Sequence, residues 1–283
     1  MITSSWRNRA GMTLLAGLTA APALAQEPIN AFDSATQPGP GTFILKEQLR
    51  YSRLEDSQRR GGAEIDQLAL NSTLNVGLFR DWSLSLRAPL DQRWQERRPA
   101  GGNEHSFGVG DVTTLLKWRF WREDRGALDT ARLALVVGAE IPTGQSEFSN
   151  GGFDPLIGLA YTQIAGRHGF NANVAWTFTT EGDERPLLAG EGRADLLRYD
   201  AAYLFRIHPA AYDASTQGAW YVVAELNGLY ETNGDHDVFL APGLMYEAKT
   251  WVFEASVQLP VVRELDDRAK TDVAITIGVR FLF

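Results

Sequence analysis

The sequence predicts an all-β fold: a transmembrane, antiparallel, up-and-down β-barrel of about twelve strands with both termini on the periplasmic side. Three observations predict it. An export segment opens the chain, period-two alternation fills the remainder, and aromatic residues gather at the ends of the alternating segments.

Residues 1–25 carry Arg7 and Arg9, an apolar stretch from Ala10 to Ala21, and small residues at Ala23 and Ala25. A basic start, a short apolar centre and a small-residue exit define a secretory signal peptide, with cleavage expected before Gln26. The apolar stretch is shorter than the roughly 20 residues a spanning helix needs. Loss of Arg7 and Arg9 from 27 basic groups, against 35 acidic ones, leaves the mature chain near −10. That balance excludes a nucleic-acid groove, which needs a basic surplus. With 44% hydrophobic and 22% charged residues the chain is no disordered segment, and with no Cys it holds no disulfide, thiolate metal site or Cys nucleophile.

Residues 26–41, with Pro28, Pro38 and Pro40, show no period and are expected to form a flexible lead or a small plug. From 42 to 283 the chain alternates. Leu68, Leu70, Leu74, Val76 and Leu78 interleave with polar or small residues, as do Phe170, Val174, Trp176 and Phe178. The last segment repeats the pattern with Val273, Ile275, Ile277, Val279, Phe281 and Phe283. Such strands have one apolar and one polar face. A soluble sandwich would bury the apolar faces against each other, whereas a barrel turns them to lipid.

Three features favour the barrel. Gaps after odd-numbered segments, such as Trp94–Val109 and Thr180–Ala194, are mostly longer than those after even ones, such as Arg80-Asp81. Rings including Trp82, Trp118, Phe120, Trp220, Tyr246, Trp251 and Phe281 collect at one end of the segments, on the apolar parity, as interfacial girdles do. The opposite parity carries Lys46, Arg50, Arg87, Lys117, Arg119, Arg132, Glu140, Arg198, Asp200, Arg206, Glu225, Glu254 and Arg280. Burying so many charges in a dry core would cost several kcal/mol per ion, and a watered lumen removes that cost. These thirteen are the candidate lumen-lining residues, nine basic and four acidic. Glu47 departs from the pattern by falling on the lipid-facing parity, where a bulge or register change is expected, and alternation is weak around Val238–Tyr246.

The stretch Phe107-Gly-Val-Gly-Asp-Val-Thr-Thr-Leu-Leu-Lys-Trp-Arg-Phe120 resembles the glycine–aspartate strand motif of the outer-membrane proteins of the MetA pathway of phenol degradation. Glu140-Ile-Pro-Thr-Gly144, followed by Gly151-Gly152 and Pro155, is similar to that family's next segment. The resemblance implies a barrel of about twelve strands, linked to aromatic catabolism and admitting hydrophobic or aromatic molecules. Resemblance to bacterial barrels also implies that the assembly machinery recognises the terminal Phe283.

Catalytic chemistry is scarce. His105, His168, His208 and His236 fall in gaps between the alternating segments, and no zinc, serine-elbow or phosphate-loop motif is present. A barrel hydrolase would need Ser, His and Asn together on the lipid face, and none of these His is expected within a strand on that parity. Asn233-Gly-Asp235-His236-Asp237 reads as a solvated hairpin loop before it reads as a Ca²⁺ loop. No cofactor or metal is expected. Pro89, Pro142, Pro242 and Pro260 sit near outer strand ends, where they shape the rim or mark a side opening, because proline cannot donate to a ladder. The function expected is a channel or transporter in the outer membrane for small molecules, aromatic or hydrophobic ones among them. The alternative is a barrel that only displays its outer loops to partners.

Overall fold

A computed structural model describes residues 27–56, 62–97, 103–126, 128–145, 147–183, 186–213 and 215–283. The export segment and its cleavage point lie outside the described residues. The strands are β1 (Phe43–Glu55), β2 (Ala63–Phe79), β3 (Trp82–Arg97), β4 (Asn103–Val109), β5 (Val112–Asp124), β6 (Thr130–Ile141) and β7 (Asp154–Ala165). They continue as β8 (His168–Thr177), β9 (Leu196–His208), β10 (Gly218–Glu231), β11 (His236–Ala248), β12 (Trp251–Glu264) and β13 (Lys270–Leu282). β5 pairs with the first half of β3 and β4 with its second half, so β4 and β5 fill one place in the wall. The sheet runs antiparallel around the ring and closes where β1 pairs with β13, giving a barrel of twelve places. Phe43 and Phe283 complete that seam, each donating its N–H to the other's carbonyl, at 3.1 and 3.0 Å.

The alternation decides which side each residue takes. In β13, Ile277 is 49% exposed while its neighbour Thr276 is 3% exposed, and the same contrast repeats around the wall. The exposed side is almost wholly apolar, which suits acyl chains, and closure leaves no unpaired edge in hydrocarbon. Rings meet across strands at the end holding Phe43 and Phe283. Trp82 stacks on Trp118 at 5.6 Å, and Tyr246 bridges Trp220 and Trp251 at 4.8 and 5.4 Å. A smaller set, including Trp94–His105 and Tyr199–His236, marks the opposite end.

Turn lengths are uneven, though less so than the sequence suggests. Gly166-Arg167 joins β7 to β8 in two residues, with Gly166 at φ +60°, the left-handed conformation that such hairpin turns require. The stretch expected as a loop from Trp94 to Val109 is mostly strand, because β3 runs on to Arg97 and β4 begins at Asn103. Beyond the lipid band both strand faces turn polar, so alternation fades there while the ladder continues. The connections 142–153 and 178–195 remain long.

Glu47 needs no bulge. The register through it is unbroken, opposite Ser72 on β2 and Val279 on β13. Its carboxyl stands on the outer wall and accepts the Ser72 hydroxyl at 2.7 Å. A lipid-facing acidic side chain lowers barrel stability, and one hydroxyl bond offsets part of that. Glu47→Leu is therefore expected to stabilise the barrel by about 1–2 kcal/mol, read as a higher urea midpoint in equilibrium unfolding from vesicles.

Candidate functional site

The thirteen candidate residues all stand on the inner parity of the wall, but they do not face an empty aqueous bore. Residues 27–38 fold into the lumen as a bent strap that turns back on itself, the Thr36 hydroxyl donating to the Glu27 carboxylate, and the wall supplies its backbone partners. Glu225 accepts the N–H groups of Ile29 and Asn30 at 2.5 and 2.9 Å, and Asp200 accepts that of Phe32 at 2.8 Å. Donors serve the strap's carbonyls: Gln48 and Lys46 to Ile29, Arg280 to Pro28, and Arg87 to Phe32. Lys117 uses all three of its protons, on Asp33 Oδ1 (2.6 Å), Ser34 O (2.9 Å) and Thr36 O (3.0 Å). Charge-assisted bonds of this kind are about twice as strong as neutral ones, so the strap is firmly seated.

The strap brings acid to the basic face. Glu27 pairs with Arg280, which also contacts the fully buried Glu254, itself bonded to Gln48. Asp33 pairs with Lys117 and lies 3.6 Å from Arg87. The remaining candidates act elsewhere. Arg119 holds the turn between β2 and β3 through Asp81 and the Arg80 carbonyl. Arg50 bonds Ser52 and Gln258, Arg132 bonds Thr130, and Arg206 stacks on Tyr212 at 4.0 Å. Glu140 faces Asp154 across β6 and β7, and Arg198 lies 5.9 Å from the Phe32 ring.

Sequence reasoning missed two apolar patches inside the barrel. Ile29 packs among Ile44, Leu204, Tyr221, Met245 and Val252 at the short-turn end. Phe32 packs on Leu115, Val136 and Leu156. Runs such as Leu115-Leu116, Leu135-Val136-Val137 and Leu156-Ile157 are apolar on both faces, and that local loss of alternation was the available signal. The weak pattern at Val238–Tyr246 has the same cause, since Phe239, Ala241 and Met245 face inward and are buried. At the long-loop end, Leu187 and Leu188 settle against Leu54, Ala63, Ile65 and Ala269. Glu191 in the same loop accepts the N–H groups of Leu187 and Leu188 and pairs with Arg93 at 2.6 Å. Below it, buried Arg268 bridges Glu231 and Asp237.

The prolines mark interruptions in the wall. Around Pro89 the pairing of β3 passes from β5 to β4, bridged by Gly110 N–H to Pro89 O at 3.1 Å. Between β11 and β12 no pairs join Leu240–Leu259 to Gly243–Ser256, and Pro242 lies in that gap at mid-strand instead of at an outer end. Pro260 sits at the adjacent register shift, and Pro142 lies just beyond β6. Beyond Gln258–Ala274, β12 and β13 share no further pairs.

All four histidines are strand residues and not gap residues, His208 as the last residue of β9. His105, His168 and His236 lie in strand residues on the outer face, where they contact Gln92, Tyr203 and Tyr199 rather than a serine. They belong to the aromatic girdles, whose amphipathic rings favour that depth. At 233–237, Asp235 accepts the N–H groups of Asp266 and Asp267, and Asp237, already in β11, holds Arg268, so these carboxylates tie this hairpin to the connection between β12 and β13. No metal-holding group of His, Cys, Asp or Glu occurs among the described residues.

A closed twelve-place barrel with an apolar outer wall, ring girdles and a charged lumen defines a transmembrane β-barrel. A family model described as "MetA-pathway of phenol degradation" matches residues 62–271, and the chain belongs to that family. It is similar to a solved outer-membrane channel from Pseudomonas putida F1, with 12% identity, 90% of this chain and 100% of that chain covered, and a TM-score of 0.63. It is also similar to the β domain of the Bordetella autotransporter Brka, with 16% identity, coverage of 84% and 98%, and a TM-score of 0.50. No curated protein matches the chain.

Lys117 carries the heaviest share of the strap's bonds. Lys117→Met leaves the half-buried Asp33 carboxylate with the Ser34 N–H but without its ammonium partner, and takes a donor from two carbonyls, a loss of roughly 3 kcal/mol. Hydrogen exchange is expected to rise about a hundredfold in residues 27–38, while the wall strands keep their protection.

Proposed function

We propose that this protein is an outer-membrane channel for passive or facilitated passage of small molecules, aromatic or hydrophobic ones among them. The observation that carries this reading is a lumenal cavity of about 540 Å³ whose walls combine Lys and Arg with apolar patches and whose width the strap restricts. A hydrated wall of mixed charge passes small polar solutes, and unpaired basic groups favour anions. The family's description and the channel from Pseudomonas putida F1 support the reading. In this scheme residues 1–25 are cleaved on export and residues 26–41 form the plug. Both ends of the barrel seam face the periplasm, and Phe283 also presents the assembly machinery with its recognition signal. The scheme assigns no catalytic role.

A second reading concerns the exit. The wall breaks beside Pro89 and Pro242 leave ladder positions unpaired, and a side opening there would release apolar solutes into the membrane.

Planar-bilayer recording and liposome flux test the main reading. Deletion of residues 27–38 frees Arg87 and Lys117 and leaves Arg280 paired with Glu254 alone, so conductance is expected to rise several-fold with a stronger preference for anions. Replacing Arg87, Arg119 or Arg132 by alanine in that background is expected to weaken the preference. Absence of conductance and solute flux in every variant would leave the barrel as a display scaffold for its loops.

A further inference from the structure

Within the strap, Phe32 and Asp33 present a benzene ring and a carboxylate side by side, and the wall treats them as a unit. The ring rests on Leu115, Val136 and Leu156, three inward apolar side chains from β5, β6 and β7 in an otherwise polar region. The Arg87 guanidinium lies 4.8 Å from the ring centroid, and Arg198 lies 5.9 Å from it. Both fall in the range where a cation is drawn to an aromatic face. The carboxylate meets Lys117 at 2.6 Å through Oδ1. Arg87 serves both halves, since its Nη2 also lies 3.6 Å from Asp33 Oδ2.

We propose that Phe32 and Asp33 occupy, as a built-in mimic, a binding site for an aromatic carboxylate. The site consists of Arg87, Lys117, Arg198, Leu115, Val136 and Leu156. It deepens the channel reading by naming a class of solute and rests on that reading for the solute's route into the lumen.

Two observations favour a displaceable mimic over a permanent structural anchor. Asp33 Oδ2 is buried with no hydrogen-bond partner, because Arg87 stops short of bonding distance. A free carboxylate, unconstrained by the strap's backbone, can take a bidentate position on that guanidinium. Of the strap's backbone bonds, one depends on these two side chains, Ser34 N–H to Asp33 Oδ1 at 2.8 Å, and those to the wall do not. Arg87 donates to the Phe32 carbonyl, and Lys117 donates to the Ser34 and Thr36 carbonyls. The ring and the carboxylate can therefore be exchanged for a ligand's while the strap stays threaded.

The ring and carboxylate come from adjacent residues, so a ligand with a short alkyl spacer matches them best, and 3-phenylpropanoate is the probe of choice. The test is isothermal titration calorimetry of the mature chain in detergent micelles. A Phe32→Ala/Asp33→Ala double variant is expected to bind 3-phenylpropanoate at least tenfold more tightly than the unaltered chain. Adding Arg87→Ala should abolish that gain, and neither 3-phenylpropan-1-ol nor 3-cyclohexylpropanoate should show it. Asp33→Asn keeps the strap's shape and should alone strengthen binding about threefold, which decides the matter if the double variant fails to fold. Unchanged affinity in the folded variants, or an equal gain with the alcohol, overturns the proposal. Ion conductance measured on the same preparations separates the two readings. A conducting barrel without the affinity gain removes the aromatic-carboxylate site alone, and an affinity gain without conductance removes the channel alone.

Discussion

Backbone polar groups have nowhere to go in a membrane wall except to one another, and that requirement organises this molecule twice over. In the wall it is met by closure, down to the mutual N–H bonds of Phe43 and Phe283 at the seam. In the lumen it is met by side chains. A bent strap inside a barrel has no ladder partner, so Glu225 and Asp200 act as acceptors, and Gln48, Arg280, Arg87 and Lys117 act as donors. The inward charges are thus not scattered solvated groups. They are arranged along the strap, and its Glu27 and Asp33 neutralise part of the basic surplus. Much of the charge that would set ion preference is already committed to the protein itself.

This arrangement divides the bore. At the short-turn end Ile29 plugs an apolar neck formed by Leu204, Tyr221, Met245 and Val252. Further along, the lumen opens into the cavity where charge and small apolar patches alternate. At the long-loop end Leu187, Leu188 and Glu191 lie across the mouth, with Glu191 tied to Arg93. Seen from that mouth, the charged region comes before the neck. The charged region and the neck are therefore built from different residues.

The wall was largely legible from sequence because lipid outside and charge inside impose a strict period of two, and the inner parity of all thirteen candidates follows from that period alone. The exceptions have definite causes. β4 was hidden because Asn103, Glu104 and His105 stand beyond the lipid band, where neither face needs to be apolar. Leu115, Val136 and Leu156 were hidden because their apolar character serves a ring from residue 32, far away in sequence. The strap's course could not be read at all, since Pro28, Pro38 and the residues between them carry no period. Its conformation comes from bonds to Glu225, Asp200 and Lys117, which are local in space and remote along the chain. Glu47 shows the opposite case. Its parity was read correctly, and the bulge expected to excuse it is absent, because a single hydroxyl from Ser72 is enough company for it.

The two motifs that carry the family resemblance turn out to be one structure. Gly110-Asp111 ends β4 and precedes β5, and the segment after β6 closes over that break. Gly144 donates its N–H to Asp111 Oδ1 at 2.8 Å, Gln145 donates to Val109 O at 2.9 Å, and Val112 N–H reaches the Thr143 hydroxyl at 3.0 Å. A Cβ at Gly144 would stand 2.8 Å from the Gly110 carbonyl carbon, and one at Gly110 would stand 2.7 Å from the Pro89 ring. Glycine at both places lets three segments approach where the ladder between β3 and β5 lapses. The residues that carry the resemblance therefore form a break in the wall and the latch that spans it. The candidate groups that face the lumen lie outside these two motifs, apart from Lys117, Arg119 and Glu140, so the latch and most of the lumen lining are carried by separate stretches of sequence.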